Sequence, residues 1–103
     1  MLGGSGSLAL AALWVSRPSY DGPVLVRGGR LDRPERIGFG WGAQPRDELR
    51  LPRGRWGARP ADIPQGWRAA RIPIRIRDPG CYAVQVDGRG FSYVLTFAVL
   101  QSL

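Results

Sequence analysis

Arginine and tryptophan carry most of the binding chemistry in this chain, and six of them lie close together between positions 53 and 68. Guanidinium groups pair with anions, indole rings stack on them, and both residue types are enriched at the energetic centres of protein interfaces. The sequence therefore predicts a surface for an unknown protein partner or for an anionic or stacking ligand. The alternative is that both tryptophans pack into the core while the arginines are solvated. The six residues are Arg53, Arg55, Trp56, Arg59, Trp67 and Arg68.

Catalytic chemistry has little support in the residue types present. The chain has no His and one Cys, Cys81, so the commonest general base and a thiolate metal site are both lacking. Its 8 acidic residues stand mostly in turns beside Gly or Pro, where Asp is favoured for backbone reasons. The sequence contains no Asp-x-Asp pattern, which would indicate carboxylates converging on a calcium ion. We expect a protein that is not an enzyme and has no catalytic residue, metal or cofactor; a small hydrolase or metal-dependent enzyme is the alternative.

The formal net charge of +7 comes from 15 basic residues, all of them Arg. Such a charge is typical of proteins that bind nucleic acid. Here the arginines are spread from Arg17 to Arg89 and form no single block. An Arg excess in a chain rich in Gly, Ala and Pro also follows from GC-rich codons. Both observations argue against nucleic-acid binding, which is kept as a third alternative.

The length fits one domain with a modest core. Residues 1–7 form a Gly/Ser-rich segment, which we expect to be flexible, and residues 8–101 form a single β-sandwich domain. The apolar run from Leu8 to Val15 is too short to cross a membrane and is interpreted as a first strand, with a processed segment as the alternative. An Arg/Pro/Gly-rich loop at 43–66 interrupts the domain, and a loop of this length is usually functional or mobile.

Two strand patterns precede this loop, and a third lies within it. Residues 23–32 indicate a strand that Gly28 and Gly29 interrupt with a bulge or a bend. Residues 36–42 alternate large side chains with Gly, which predicts a short strand. Inside the loop, only Leu49 to Leu51 hints at a strand. The large side chains expected to share one face of the 36–42 strand are Ile37, Phe39 and Trp41.

Strict alternation over residues 67–77 predicts a half-buried strand. Ile72, Ile74 and Ile76 would face the core, whereas Arg71, Arg75 and Arg77 would form a solvated face. Pro73 would lie on that polar face. Because Pro cannot donate to a strand ladder, we expect this strand to lie at a sheet edge or to carry a bulge.

The stretch from Asp78 to Leu100 defines the fold class. An Asp-Pro-Gly turn followed by Tyr82 has the spacing of the tyrosine corner of Greek-key sandwiches. Asp87 to Gly90 is a hairpin signal between two alternating strands. Cys81 should be reduced and buried on the face opposite Tyr82. The sequence therefore predicts an all-β fold, an immunoglobulin-like Greek-key β-sandwich of about six to seven strands.

The same stretches resemble a group of small exported or lipid-anchored bacterial proteins that has no established activity. The shared motifs are Gly22-Pro23 before an aliphatic strand, residues 29–32 (Gly-Arg-Leu-Asp), residues 80–82 (Gly-Cys-Tyr) and a last strand at 93–99. The resemblance implies a β-sandwich and an extracytoplasmic or cell-envelope location. We expect no clear signal peptide and no lipid-anchoring Cys in the residues from Met1 onward, and therefore expect any membrane anchor to come from sequence ahead of Met1. The function expected is that of a non-enzymatic interaction or structural module.

Overall fold

The computed structural model describes residues 8–101, so the predicted flexible segment at 1–7 lies outside the described residues. Over the described range the fold is all-β, as predicted, and every strand pair is antiparallel. No helix within this range is long and apolar enough to cross a membrane. The strands are β1 (Leu8–Leu10), β2 (Leu13–Ser16), β3 (Val24–Arg30), β4 (Gly38–Phe39), β5 (Glu48–Leu51), β6 (Arg68–Arg71), β7 (Ile74–Ile76), β8 (Gly80–Gly88) and β9 (Phe91–Val99).

The strands form three sheets around one core. A four-stranded sheet has the order β5-β3-β8-β9, a three-stranded sheet the order β1-β7-β4, and β2 pairs with β6. The four-stranded sheet contributes Val26 and Tyr82 to the core, the three-stranded sheet contributes Phe39 and Ile76, and β6 contributes Ala70. Since these residues form one cluster, the architecture is that of a sandwich whose second layer is divided into two sheets.

The division of the second layer occurs at a proline. The sequence predicts one strand over 67–77, but the structure has two, β6 and β7, separated by Ile72 and Pro73. The pairing register is continuous across the break, because Leu10 lies opposite Ile74 and Leu13 lies opposite Arg71. Pro73 has no N–H to donate, so the ladder stops there without shifting. β6 lies at a sheet edge as expected, whereas β7 lies between β1 and β4.

Two predictions about the polar face of this segment are wrong. Pro73 is fully buried instead of lying on a solvated face. Arg75 is not simply solvated either, because its Nη1 donates to the carbonyl oxygens of Gly40 at 3.1 Å and Gly42 at 2.7 Å. Arg71 and Arg77 are exposed, as predicted.

The prediction that Trp41 shares a strand face with Ile37 and Phe39 is also wrong. β4 covers only Gly38–Phe39, and Trp41 does not share the buried face of Ile37 and Phe39 but is 73% exposed. Gly40 and Gly42 have φ angles of +104° and +96°. This left-handed conformation ends β4 before Trp41 and turns the chain on both sides of that residue. The alternation of large residues with Gly could not show that Trp41 points away from the core.

The prediction that Gly28 and Gly29 interrupt the strand with a bulge or a bend is wrong, because β3 runs unbroken through both. Gly28 and Gly29 pair in regular register with Val84 and Ala83 of β8. A Cβ atom at Gly28 would lie 2.5 Å from the carbonyl oxygen of Ala83 and 2.6 Å from Cδ1 of Ile37. A side chain at position 28 would therefore collide with β8 and with Ile37, so the close approach of these parts requires glycine.

The tyrosine corner and the last hairpin are confirmed. The hydroxyl of Tyr82 donates to the backbone carbonyl of Asp78, and its ring is fully buried. Gly88 pairs with Phe91, which leaves Arg89-Gly90 as a two-residue turn. Cys81, however, is exposed, contrary to prediction. It alternates with Tyr82 and so lies on the outer face of the four-stranded sheet, where Gln85, Val94 and Thr96 are exposed as well.

Candidate functional site

Arg68, predicted to border a binding surface, is instead a buried cation where three chain segments converge. It begins β6, and its side chain points towards the turn after β2 and the loop after β5. Burial lowers the pKa of its guanidinium, and the charge of Asp21 opposes that shift. Its terminal nitrogens lie 3.0–3.3 Å from the carbonyl oxygens of Tyr20, Asp21, Gly22, Pro52 and Gly54 and from Oγ of Ser16. The guanidinium therefore organises the backbone of both loops.

Trp56 lies directly against this cation. The guanidinium carbon of Arg68 is 4.1 Å from the centre of the Trp56 ring, and Nε1 of Trp56 donates to the carbonyl of Pro52 at 2.7 Å. One side of the half-buried ring also packs against the core. The pair is thus an internal cation–π contact that fixes the loop after β5.

The other four predicted site residues do not join this pair in one cluster. Arg53 and Arg55 are exposed on the loop. Arg59 donates to the carbonyl of Ile63 within the same loop. Trp67 is half-buried, with the guanidinium carbon of Arg17 5.9 Å from its ring centre.

Trp56 does line a groove that the sequence did not indicate. The groove has a volume of about 380 Å³ and lies between β2 and β9 at one flank of the sandwich. Five aromatic rings line it, together with aliphatic side chains, two serines and Arg17. The aromatic residues are Trp14, Tyr20, Trp56, Phe91 and Tyr93.

The groove exists because the second layer of the sandwich does not reach β9. Tyr93 lies opposite Val86 and Leu95 opposite Val84, so both project from the inner face of the sheet. They are nevertheless 62% and 56% exposed. Val15 on β2, across the groove, is exposed as well. An inner sheet face left uncovered in this way is unusual for a sandwich, in which both inner faces normally pack together.

The floor of the groove is fixed by Tyr20. Its hydroxyl donates to the carbonyl of Pro23 at 2.6 Å and accepts from the backbone N–H of Arg89 at 3.0 Å, which ties it to the tip of the last hairpin. Its ring meets Phe91 edge-on with centroids 4.9 Å apart, and Phe91 lies 5.4 Å from Tyr93. The aromatic surface is therefore built before any ligand arrives.

Arg17 is the single charged residue among those that line the groove. The groove can thus accept apolar or aromatic groups and, at its border, a carboxylate. Sequence reasoning missed Tyr20, Phe91 and Tyr93. The available signal was β9 itself, since its apolar residues occupy both faces whereas a half-buried strand alternates.

A second groove of about 720 Å³ runs beside Trp41 and the start of β5. Its two carboxylates are paired, Asp47 with Arg36 at 2.8 Å and Glu48 with Arg50 at 2.9 Å. Within residues 8–101 no three His, Cys, Asp or Glu side chains converge on a possible metal position. Two aromatic residues line this groove, Phe39 and Trp41, whereas five line the smaller one.

Comparison of the chain with known protein families, curated proteins and solved structures finds no match. The functional conclusion therefore depends on the geometry of the flank between β2 and β9.

Proposed function

We propose that this chain is a non-enzymatic interaction module that binds an apolar or aromatic segment of a partner protein in the groove between β2 and β9. The observation that carries the proposal is the exposure of Tyr93, whose ring lies on the inner face of a sheet and yet is 62% accessible. A large aromatic side chain in that position is stabilised best when another molecule covers it.

The groove is suited to binding because two of its aromatic rings are held in place by contacts within the chain. Trp56 is held by Arg68 and Pro52, and Tyr20 is held by Pro23 and Arg89. A preorganised site loses little conformational entropy when the ligand binds. Aromatic anchors in such a site contribute much of the binding free energy of a protein interface. Arg17 adds a preference for a segment that carries a carboxylate beside its apolar residues.

The finer fold assignment and the location belong to the same proposal. Counting β1 with β2 and β6 with β7 as single interrupted strands turns nine strands into seven, and the corner at Tyr82 is typical of immunoglobulin-like sandwiches. The pairing of β3 with β8 differs from the immunoglobulin strand order, so the relation we propose is one of architecture. An extracytoplasmic or cell-envelope location is supported by the sequence resemblance alone.

A displayed library of short random peptides tests the proposal. Selection against the whole chain should enrich peptides with aromatic or aliphatic residues next to Asp or Glu. Tyr93→Ser should weaken their binding about tenfold or more, as truncation of an interface anchor does. Val94→Ala is the matched control, because Val94 is 63% exposed on the same strand but projects from the outer face. No enrichment, or equal loss in both variants, would refute a peptide site in the groove.

A further inference from the structure

The outer edge of β9 is the longest free strand edge of the sandwich. β9 pairs with β8 along all nine residues, from Gly80 opposite Val99 to Gly88 opposite Phe91, and no other described strand pairs with it. Backbone N–H and C=O groups of alternate residues therefore point away from the sheet along about 30 Å, at ~3.4 Å per residue. Such an edge is a template for one more strand.

This edge lacks the features that normally prevent pairing. Edge strands are protected by charged residues, prolines and bulges. β5, the opposite edge of the same sheet, has Glu48 and Arg50 within it and Pro52 directly after it. Residues 91–100 contain no Asp, Glu, Arg, Pro or Gly. The chain thus protects one edge of this sheet and leaves the other open.

The side chains of β9 are as uncovered as its backbone. Three consecutive residues, Tyr93, Val94 and Leu95, are 62%, 63% and 56% exposed. Because neighbouring side chains point to opposite faces of a sheet, Tyr93 and Leu95 are accessible on the inner face, and Val94 is accessible on the outer face between Ser92 and Thr96. A strand added at this edge would cover part of both faces.

We propose that the strand which pairs with β9 is β9 of a second copy of this chain, in antiparallel register about a two-fold axis at Leu95. In this register Tyr93 lies opposite Phe97 of the second copy, and Val94 lies opposite Thr96. These are the aromatic and β-branched cross-strand pairs that stabilise sheets. A two-fold arrangement matches the strand to itself, so the contact is closed and forms no filament.

The match of β9 to itself favours a second copy over a different partner at this edge. The net charge of +7 on each copy opposes self-association, and residues 91–100 add no charge of their own to that repulsion, so the dimer should strengthen as salt is added. For a charged segment of another protein, β9 offers only the hydroxyls of Ser92, Tyr93 and Thr96 as polar contacts. A single strand pair buries less than the ~1,600 Å² of a standard interface, so the dimer should be concentration-dependent.

Sedimentation equilibrium over a concentration series of the whole chain tests this dimer. The apparent mass of the wild type should rise from that of one chain towards that of two. Leu95→Arg sets two like charges face to face at the axis and should weaken association at least tenfold, as should Leu95→Glu. An equimolar mixture of the two variants should associate again, because opposite charges then meet. Leu31→Arg is the control, since Leu31 is equally exposed (58%) but lies outside β9.

Melting curves of both Leu95 variants at concentrations at which the chain is monomeric should match that of the wild type, which separates lost association from lost folding. The inference is wrong if the wild type stays monomeric, if Leu95→Arg associates like the wild type, or if the mixture stays monomeric. Leu95 does not line the aromatic groove. Leu95→Arg should therefore keep its affinity for the selected peptides, so that failure of the groove and failure of the dimer are distinguishable.

Discussion

The guanidinium of Arg68 lies 4.1 Å from the ring centre of Trp56, and this pair joins the core to the loop that follows β5. Both residues look like surface binding residues in the sequence. In the fold Arg68 is buried and its nitrogens bind backbone oxygens of two loops. The contact therefore holds the Trp56 ring in the position in which it lines the groove, and does not itself touch a ligand.

Arg68→Lys should destabilise the protein by at least about 2 kcal/mol, because an ammonium group cannot reach the same carbonyls and each hydrogen bond to a charged group contributes ~1.5–3 kcal/mol. Urea unfolding measures the change. Arg53→Lys, on the exposed part of the same loop, should change the free energy of unfolding by less than about 0.5 kcal/mol. Equal stability of the two variants would show that Arg68 is dispensable for the loop.

Tyr82→Phe should cost about 1–2 kcal/mol, the range for losing one partner of a buried hydrogen bond. The hydroxyl removed is the one that donates to the carbonyl of Asp78. Tyr93→Phe serves as the control, because its ring is exposed and removal of its hydroxyl should leave the melting temperature unchanged. An unaltered melting temperature for Tyr82→Phe would contradict the role of the corner.

Cys81 should react rapidly with a thiol reagent in the folded protein, because its side chain is exposed on the outer sheet face. Cys81→Ser should alter the free energy of unfolding by no more than about 0.5 kcal/mol, as is usual for surface substitutions. Labelling followed by mass spectrometry, with and without urea, gives the protection factor. Reaction only after urea is added would place the thiol in the core instead.

The last hairpin should show a pH dependence that centres on Asp87. Hydrogen bonds from Ser92 at 2.5 Å and from Gln85, together with Arg27, lower the pKa of this carboxyl. A pKa that is lower in the folded state stabilises the fold above the unfolded value of ~3.9, and this contribution is lost as the pH falls through the folded pKa.

Ser92→Ala should raise the pKa of Asp87 towards its usual value and weaken the acid sensitivity of the hairpin, because the largest cause of the shift is removed. A titration of the side-chain carboxyl carbon by NMR measures this directly. Ser19→Ala, an exposed serine in the turn after β2, should leave the titration unchanged. Identical titration curves for the wild type and Ser92→Ala would contradict this coupling.

Local patterns predicted much of this fold, and long-range packing explains what they missed. The corner at Tyr82 depends on a carbonyl four residues earlier, and the turn at Arg89-Gly90 depends on two residues, so both are legible in the sequence. Alternation also places Cys81 opposite Tyr82, but it cannot say which faces a second layer covers. Cys81 is exposed because it lies on the outer face of the sheet, and Tyr93 is exposed because the second layer does not reach β9.

The candidate site was harder to predict, for the same reason. Arg68 occupies a position that alternation alone cannot assign, and it becomes buried because two distant loops close over it. The groove joins residues of β2 with residues of β9, which are more than 70 positions apart in sequence. Among the residues that line the groove, only Trp56 belongs to the six site residues that the sequence predicts. Trp41 shows the opposite error. Alternation predicts that its ring is buried, but the left-handed conformation of Gly40 and Gly42 directs the ring into solvent.

The most direct test of the interaction surface is a map of backbone amide chemical shifts, recorded while a selected peptide is titrated into the isotope-labelled chain. The largest changes should lie at Val15, Arg17, Tyr20, Phe91 and Tyr93, the two walls and the floor of the groove. Amides on the outer face of the four-stranded sheet, such as Cys81 and Gln85, should change little. If the largest changes instead fell on the exposed loop around Arg53 and Arg55, the groove between β2 and β9 would not be the binding surface.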